Sequence, residues 1–524
     1  FKSMAQTAIS LMARDWQRNL QLTDTLAPIQ SMTIQAGNLD FNGSKKSLGK
    51  KPSKIKLDLL PLGLTLQNNS ALPYGWNDGS MIPVKGLQTQ VTGGFKFSVG
   101  KFSIQLQPEF VYAANEAFEG FPTKQDNFIW ARHYKYLNQS DIPERFGTAP
   151  YQKFFAGQSS IRYSTNQWSI GISTENMWWG PGRKNALVMS YNAPGFLHYT
   201  FNSVKPLKTK IGHFEWQLMG GQLENSGMIP AETNRVYNGQ FLYQPKKLEG
   251  RYIVGAILNW QPKWMPGLFM GATRVSYLYQ SDATSMADYL PLDGIITTTS
   301  AKAGKKANFG SLFARYLMPK VHTEFYFEYG RNDKAPGIWN TIADNHYAKA
   351  YVFGLRKLFP IGIKGQSILF GLELTQMQLD EPSLILDSTS YSWYTHPQVR
   401  HGYTHQGQVI GAGIGPGSNS QTAEIAWIKG KKKIGLEFER VVRNNDFYYY
   451  AYQPSGDYNR HWVDIATKLN LQWDFKGFFI SAHVGAIRSI NYQWFLNPTN
   501  ISYFKGGWDL LNLNGQLSIN YTFK

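Results

Sequence analysis

At 524 residues the chain is long enough for several soluble domains or one large β-barrel, and the absence of cysteine excludes disulfides, zinc–thiolate sites and thiol nucleophiles. Charged residues make up only 17% of the chain and aromatic residues 15%, a balance that disfavours a soluble protein and is typical of a membrane barrel with aromatic girdles. The net charge of +18 indicates an anionic partner, and because no basic helix or nucleic-acid motif gathers the basic residues, we expect no nucleic acid.

Hydropathy argues against membrane-spanning helices and leaves a membrane barrel open. Mean hydropathy is −0.36, and the sequence contains no apolar run of the roughly 18 residues that a spanning helix needs. Barrel strands alternate lipid-facing and lumen-facing residues, so their average hydropathy is unremarkable. No signal peptide is visible at Phe1, which we interpret as the start of a mature, processed chain.

Residues 1–53 form the first predicted segment. Apolar residues recur at helical spacing in its first part, which predicts a helix packed on an apolar surface: Met4, Ala8, Leu11, Met12, Trp16 and Leu20. Residues 37–54 are polar and very basic, which predicts a solvated loop, with contact to anionic head groups as the alternative: Lys45, Lys46, Lys50, Lys51 and Lys54.

From Lys54 onward apolar and polar residues alternate with period two, as a wall between lipid and water requires. This pattern predicts strands near residues 54–68, 86–99, 101–118, 159–165, 168–177, 196–203, 211–224, 250–261, 267–280, 307–317, 320–330, 348–359, 365–379, 422–429, 432–449, 461–474, 477–493 and 510–523. The last of them ends close to an aromatic residue, Phe523, a pattern that the barrel-assembly machinery reads.

Tight turns and long loops alternate between these strands, as in outer-membrane barrels with short periplasmic turns and long outer loops. We call residues 178–195 the excursion. Turns and loops alternate throughout the chain if the excursion forms one structured connection held near the outer mouth. The alternation also requires residues 1–53 to lie at the periplasmic end. We therefore predict an all-β transmembrane protein, an antiparallel outer-membrane β-barrel of about 18 strands over residues 54–524, with a short N-terminal helical segment at its periplasmic end.

Several motifs carry a resemblance to a known family. They are Gly157–Arg162, Ser173–Gly182 with its WWGPG run, Asn192–Phe196, Gly220–Gly227, His401–Gln408 and Ile414–Ser420. Together they resemble the Wzi family of capsule-assembly outer-membrane proteins, over most of the chain from about residue 73. The resemblance implies an 18-stranded barrel with a periplasmic helical bundle and an outward face that acts as a lectin for capsular polysaccharide.

Two stretches supply the aromatic, basic and amide groups that bind sugar rings, hydroxyls and uronates. The candidate ligand-binding residues are Glu175, Asn176, Trp178, Trp179, Arg183, Lys184, Asn185, Trp393, Tyr394, Arg400, His401, Tyr403 and His405. The alternative for Trp178 and Trp179 is structural packing inside the barrel, or a constriction. The spacing of His401 and His405 would suit a metal on a helix, but the flanking glycines favour a loop and no metal site is predicted.

No GxSxG or HExxH motif occurs, and the glycine-rich run Gly411–Gly417 lacks the spacing of a nucleotide site, so we predict neither an enzyme nor a cofactor. The basic turn Lys429–Lys433 is predicted to face the periplasm, as a solvated turn or in contact with inner-leaflet phosphates.

The favoured function is a barrel in the outer membrane of a Gram-negative bacterium that binds and anchors or organises surface polysaccharide. The alternatives are a channel or scaffold subunit of a larger outer-membrane complex and, third, a lipid-modifying enzyme. Expected partners are capsular or other surface polysaccharide, lipopolysaccharide and membrane lipid, and other outer-membrane proteins.

Overall fold

The computed structural model describes residues 7–26, 29–36, 55–290, 305–332, 348–362, 365–379, 391–452, 461–494 and 509–523. Within them, one antiparallel sheet closes on itself as a barrel of 18 strands, which confirms the predicted fold class. The predicted basic loop that carries Lys45, Lys46, Lys50, Lys51 and Lys54 lies outside the described residues. So do parts of the predicted long loops 281–306, 331–347, 380–421, 450–460 and 494–509.

The wall strands follow one another around the barrel in chain order. They are β1 Ile55–Asn69, β2 Gly86–Val99, β3 Phe102–Leu106 with Glu109–Ala113, β4 Tyr151–Phe155 with Ser160–Ser164, β5 Trp168–Ser173, β6 His198–Ser203, β7 Gly212–Leu223, β8 Arg251–Pro262, β9 Leu268–Tyr279, β10 Lys306–Met318, β11 Thr323–Asn332, β12 Lys349–Pro360, β13 Gln366–Gln376, β14 Asn419–Lys429, β15 Lys432–Val442, β16 Val463–Phe475, β17 Phe478–Ile490 and β18 Leu510–Tyr521. The α-helices of the described residues are α1 Thr7–Leu22, α2 Asn127–Leu137 and α3 Asn445–Tyr452.

The barrel closes where β18 pairs with β1, with Leu62 opposite Tyr521. Strands β3 and β4 are each interrupted at the same level. Pro108 has no N–H to offer a ladder, and Gly157 bridges to Gln107 there with a φ of +61°, where an added Cβ would lie 2.4 Å from the Gln107 carbonyl. The interruption is therefore a built-in irregularity of an otherwise continuous wall.

Alternation along the strands separates an apolar outer surface from a polar interior. In β15, for example, Ile434, Leu436 and Phe438 are exposed while Glu437 and Glu439 are buried. The same division recurs around the wall, so the exposed apolar belt faces lipid and the barrel interior holds the polar side chains. No helix in the described part of the chain is long and apolar enough to cross a membrane.

Two elements differ from the sequence prediction. The predicted strand 432–449 ends at Val442, and α3 begins three residues later because its aromatic side chains pack into a cluster over the mouth. The predicted loop 119–158 contains α2 and the first half of β4. Both corrections lie at the long-loop end, where loops fold on one another and long-range packing overrides the local pattern.

The N-terminal helix α1 lies inside the barrel at its short-turn end. Leu22 is fully buried against Leu317, Leu358 and Leu369, which all stand near short turns. The His322 ring in the turn between β10 and β11 lies 2.7 Å from the Leu22 carbonyl oxygen. This placement confirms a short N-terminal helical segment, and it makes α1 part of the core that fills the lumen.

Candidate functional site

The excursion enters the barrel instead of staying near the outer mouth, which corrects that part of the prediction. Met177–Trp179 leaves the wall and pairs antiparallel with Ile34–Ala36, a short strand that follows α1. Trp178 and Trp179 are fully buried. The Arg14 guanidinium lies 4.7 Å from the centre of the Trp178 ring, and the Trp179 indole N–H donates to Gln217 Oε1 at 2.7 Å. The two tryptophans are therefore packed side chains of the barrel interior.

The Gly-Pro-Gly turn presents its carbonyl groups to the arginines of α1. Arg14 Nη2 donates to the Gly182 carbonyl at 2.8 Å and to the Gly180 carbonyl at 3.2 Å, and Arg18 Nη1 donates to the Pro181 carbonyl at 2.8 Å. A Cβ at Gly182 would lie 1.9 Å from the Asn185 carbonyl oxygen, so only glycine fits there. The turn and α1 thereby hold each other in the lumen.

Backbone amides that follow this turn enclose a carboxylate of the wall. The N–H groups of Arg183, Lys184 and Asn185 donate to Glu373 at 2.6, 2.9 and 2.8 Å. The Tyr326 hydroxyl donates to the same carboxylate at 2.8 Å. Successive amides that converge on one anion form a nest, so the end of the turn is anchored to β13.

The charged residues of the excursion are paired inside the barrel. Arg183 lies 2.8 Å from Asp15 and 2.7 Å from Glu424, while Lys184 lies 2.6 Å from Glu437. Glu175, Asn176 and Asn185 also have internal partners: Arg162 for the carboxylate, Gln158 and the Ala193 carbonyl for Asn176, and Thr375 and Ser420 for Asn185. The seven candidate residues of this stretch thus form a lumen network.

The loop of residues 391–418, which we call the inner loop, covers the excursion from the long-loop end. Trp393, Tyr394 and Tyr403 are fully buried, and the rings of Tyr394 and Tyr403 stack at 5.9 Å. The Tyr394 hydroxyl donates to the Leu187 carbonyl at 2.7 Å, and the Tyr403 hydroxyl donates to the Val188 carbonyl at 2.8 Å. The structure therefore brings the two predicted stretches together, as one packed core.

The two histidines of the inner loop are also buried. His405 belongs to a small hairpin in which Thr404–His405 pairs with Gln408–Val409, and its Nδ1 accepts from the Glu224 backbone N–H at 3.0 Å. His401 Nδ1 lies 3.0 Å from the Tyr279 hydroxyl oxygen. Burial, reinforced by the nearby Arg251 guanidinium, lowers the pKa of each histidine to about 3, so both are neutral at physiological pH.

Arg400 differs from the other candidates because it reaches the outer surface. Its Nε donates to the Asn138 carbonyl at 3.0 Å, and its Nη1 and Nη2 donate to the carbonyls of Pro245 and Gln244 at 3.0 and 2.6 Å. These bonds join α2, the 225–249 loop and the inner loop. Arg400 thus fixes three long connections around one surface depression.

That depression, which we call the outer cleft, has a volume of about 390 Å³. Its lining includes an aromatic and amide set together with two basic groups: Lys135, Asn138, Gln139, Tyr237, Asn238, Gln240, Phe241, Gln244 and Arg400. Phe241 is 66% exposed at its edge. Apolar rings beside amides and cations are the groups that hold a sugar face and its hydroxyl or uronate substituents.

Sequence reasoning missed most of the outer cleft because its residues lay in predicted loops. One local signal was present: Asn238-Gly239 flanked by Val236, Tyr237, Gln240 and Phe241 is a hairpin pattern, and the structure pairs Val236 with Phe241 there. A second signal was the buried face of α2, formed by Ile129, Trp130, His133 and Tyr134. These two elements stand beside each other, which only the folded chain establishes.

Comparison with known proteins identifies the family to which the chain is similar. The model of the family described as capsule assembly protein Wzi matches residues 76–485. No curated protein sequence matches. Among solved structures, Wzi of Escherichia coli, described as an outer membrane protein involved in group 1 capsule assembly and a carbohydrate-binding β-barrel, has a TM-score of 0.62 and 11% identity, with 100% of each chain covered.

Two other solved barrels show weaker likeness. OccAB2 of Acinetobacter baumannii has a TM-score of 0.42 and 13% identity, covering 88% of this chain and 97% of its own. OccK7 of Pseudomonas aeruginosa has a TM-score of 0.39 and 9% identity, covering 90% of this chain and 98% of its own.

Proposed function

The chain belongs to the Wzi family of capsule assembly proteins and is an outer-membrane β-barrel, and on that premise we propose that it binds surface polysaccharide at its outer cleft. Binding there would anchor or organise a capsule or related exopolysaccharide at the cell surface. We propose binding without catalysis. Lipopolysaccharide and neighbouring outer-membrane proteins are proposed as further partners of the same surface.

The observation that carries this proposal is the composition and position of the outer cleft. It opens at the long-loop end, which faces outward in outer-membrane barrels, and it joins Tyr237 and Phe241 to Lys135 and Arg400. The hydrogen bonds from the Arg400 guanidinium to three backbone carbonyls fix the shape of the cleft before a ligand binds. This lowers the entropic cost of binding.

The buried candidates enter the proposal in a different role. Trp178, Trp179, Trp393, Tyr394 and Tyr403 have no exposed ring face, so direct sugar contact by them requires the lumen to open. We propose that they support the floor beneath the cleft. Ligand contact by the buried candidates stays a prediction.

Retardation of the purified protein in gels that contain alginate, a polyuronate, or dextran, a neutral glucan, tests the proposal. We expect Phe241→Ala and Tyr237→Ala to weaken retardation by roughly 2- to 13-fold each, since a lost ring contact is worth about 0.5–1.5 kcal/mol. Lys135→Gln should weaken the alginate interaction more than the dextran interaction, because a uronate is the group that its charge recognises.

Trp264→Ala is the matched control, because Trp264 is a 69% exposed aromatic residue in the turn between β8 and β9 at the opposite end of the barrel. It should leave retardation unchanged. Unchanged retardation of Phe241→Ala and Tyr237→Ala, or an equal loss in Trp264→Ala, would reject the outer cleft as the binding site.

A further inference from the structure

Exposed lysines gather at the short-turn end of the barrel. We call the following residues the basic collar: Lys101, Lys205, Lys208, Lys210, Lys263, Lys320, Lys429 and Lys476. They stand in the turns that follow β2, β6, β8, β10 and β16 and, for Lys429, at the last residue of β14, so the collar extends around the mouth. Among the described residues, the exposed acidic residues at this end are fewer: Asp24 and Asp474.

The long-loop end shows a different balance of charge. There, Lys247 lies 3.1 Å from Glu249, Lys305 lies 3.2 Å from Asp282, and Arg235 is near Glu232. Each of these three bases of the long loops therefore has an acidic neighbour. The unbalanced positive charge of the described chain is concentrated at the short-turn end, which the net charge alone does not reveal.

An aromatic band fixes the depth of the collar relative to the membrane. On strands β3 to β7, the rings of Phe102, Tyr163, Trp168, Phe201 and Trp216 follow one another at centroid distances of 5.0, 5.9, 5.9 and 6.0 Å. Such bands mark the membrane–water interface of barrels, where aromatic residues meet lipid head groups. The turns that carry the collar begin just beyond this band.

Several lysine ammonium groups lie directly over interfacial rings. Lys101 Nζ is 5.7 Å from the centre of the Tyr163 ring, and Lys476 Nζ is 5.2 Å from that of Phe475. Lys432 Nζ is 4.2 Å from the Trp473 ring. These contacts hold the charges at head-group depth, with their aliphatic stems along the apolar surface.

From this geometry we propose that the basic collar binds the head groups of anionic phospholipids in the leaflet at the short-turn end. The phosphate lies between collar lysines, and the acyl chains lie on the exposed apolar belt beside the aromatic band. A soluble acidic polymer would contact the lysines but not the adjoining apolar belt, whereas a phospholipid contacts both. A phospholipid therefore fits the whole surface better. The collar thereby enriches anionic lipid around the barrel and fixes its depth in the membrane.

Lipid retention by the intact protein tests this proposal. The full chain is reconstituted in nanodiscs of phosphatidylglycerol and phosphatidylcholine, extracted in mild detergent, and its bound lipids are counted by native mass spectrometry. We expect the wild type to retain phosphatidylglycerol in excess. The variant Lys205→Gln/Lys208→Gln/Lys210→Gln should lower the bound phosphatidylglycerol-to-phosphatidylcholine ratio at least threefold.

Two matched variants make the result decisive. Lys205→Arg/Lys208→Arg/Lys210→Arg keeps the charge and should retain the wild-type ratio. Lys124→Gln/Lys247→Gln/Lys305→Gln removes the same charge at the long-loop end and should also retain it. Heat-modifiable migration in gels checks that each barrel is folded.

An equal lipid ratio in the wild type and the collar variant would overturn the proposal, as would an equal loss in the long-loop variant. Inorganic phosphate, added at constant ionic strength, distinguishes lipid from free anion. If phosphate at millimolar concentration removes the lipid preference, the collar is an anion site and not a lipid site.

Discussion

At the scale of single residues, the lumen is a set of matched charges. Glu324 is fully buried and lies 3.0, 2.5 and 3.1 Å from the guanidinium groups of Arg18, Arg315 and Arg356. One carboxylate therefore joins α1 to three wall strands, β10, β11 and β12. Buried charges are tolerated only when they are paired. Removal of one charged partner therefore lowers the free energy of unfolding strongly, even where the intact ion pair itself contributes little to it.

Glu324→Ala should lower the free energy of unfolding by about 3–5 kcal/mol, because it leaves three buried guanidinium groups without their carboxylate. Denaturant titration of the barrel in detergent measures the change. Asp58→Ala is the control: Asp58 pairs with Lys56 at 2.6 Å, where the lysine side chain is 48% exposed, so we expect a loss below about 1 kcal/mol. Similar losses in both variants would contradict the assignment.

The buried histidines predict sensitivity to acid. Because the pKa of His401 and His405 falls to about 3 in the folded barrel while it stays near 6.5 in the unfolded chain, the unfolded state binds more protons between these values. The stability that these two neutral histidines contribute is therefore fully present above about pH 6.5. It is lost progressively as the pH falls from 6.5 towards 3. Each histidine contributes up to about 1.4 kcal/mol per pH unit in that window.

His401→Gln/His405→Gln should weaken the pH dependence of the unfolding midpoint between about pH 6.5 and 4, whatever it does to stability at neutral pH. Thermal unfolding followed at several pH values measures this slope. Gln398→Asn, a change between two side chains without a titratable group at an exposed position of the inner loop, is the control and should keep the wild-type slope. An unaltered slope in the double variant would show that these histidines are not held neutral.

At the scale of elements, α1, the excursion and the inner loop act as one filling of the barrel. α1 holds the Gly-Pro-Gly turn through Arg14 and Arg18, the turn holds Glu373 of β13, and the inner loop covers Leu187 and Val188. Each contact joins elements that are distant in sequence. A barrel of this width can enclose an aqueous lumen, so we predict that these three elements restrict the flow of ions through it.

Removing α1 should raise the conductance of the barrel. We expect the wild type to be nearly silent in planar bilayers and a variant lacking residues 1–26 to show ion conductance, because Arg183 then loses Asp15 and Glu324 loses Arg18, its partner on α1. Removal of the hairpin at residues 236–241 of the outer surface serves as the control and should stay silent. High conductance of the intact protein would favour the channel alternative instead.

At the scale of the whole molecule, the alternation of short turns and long loops sets the orientation. The outer cleft stands at the long-loop end, and the basic collar and α1 stand at the short-turn end. Polysaccharide and anionic phospholipid would therefore be bound at opposite mouths of one barrel. This arrangement suits a protein that holds a surface polymer while it is fixed in the membrane beneath.

The absence of native cysteine makes this orientation directly testable. Leu248→Cys, at a fully exposed position of a long loop, should react with a membrane-impermeant maleimide on intact cells. Lys320→Cys, in the turn between β10 and β11, should react only after the outer membrane is permeabilised. The reverse pattern would place residues 1–53 outside and would reject the periplasmic assignment of the N-terminal segment.

Alternation along each strand was enough to predict the barrel wall, because the two faces of a strand meet lipid and lumen independently of the rest of the fold. β1, β2 and β16 were predicted to within about two residues on that basis. α3 was not, because its aromatic residues suit a strand equally well. It becomes helical where Phe447, Tyr448 and Tyr452 can pack over the mouth.

The WWGPG stretch marks the limit of sequence reasoning for this protein. Its proline and glycine residues, together with the alternation of tight turns and long loops, predicted from sequence that Trp178–Gly195 is a connection and not wall. Only the tertiary structure decided that its rings and charges turn inward to α1. Aromatic rings beside arginine suit a sugar site and a buried cation–π contact alike, and the choice depends on what else fills the lumen.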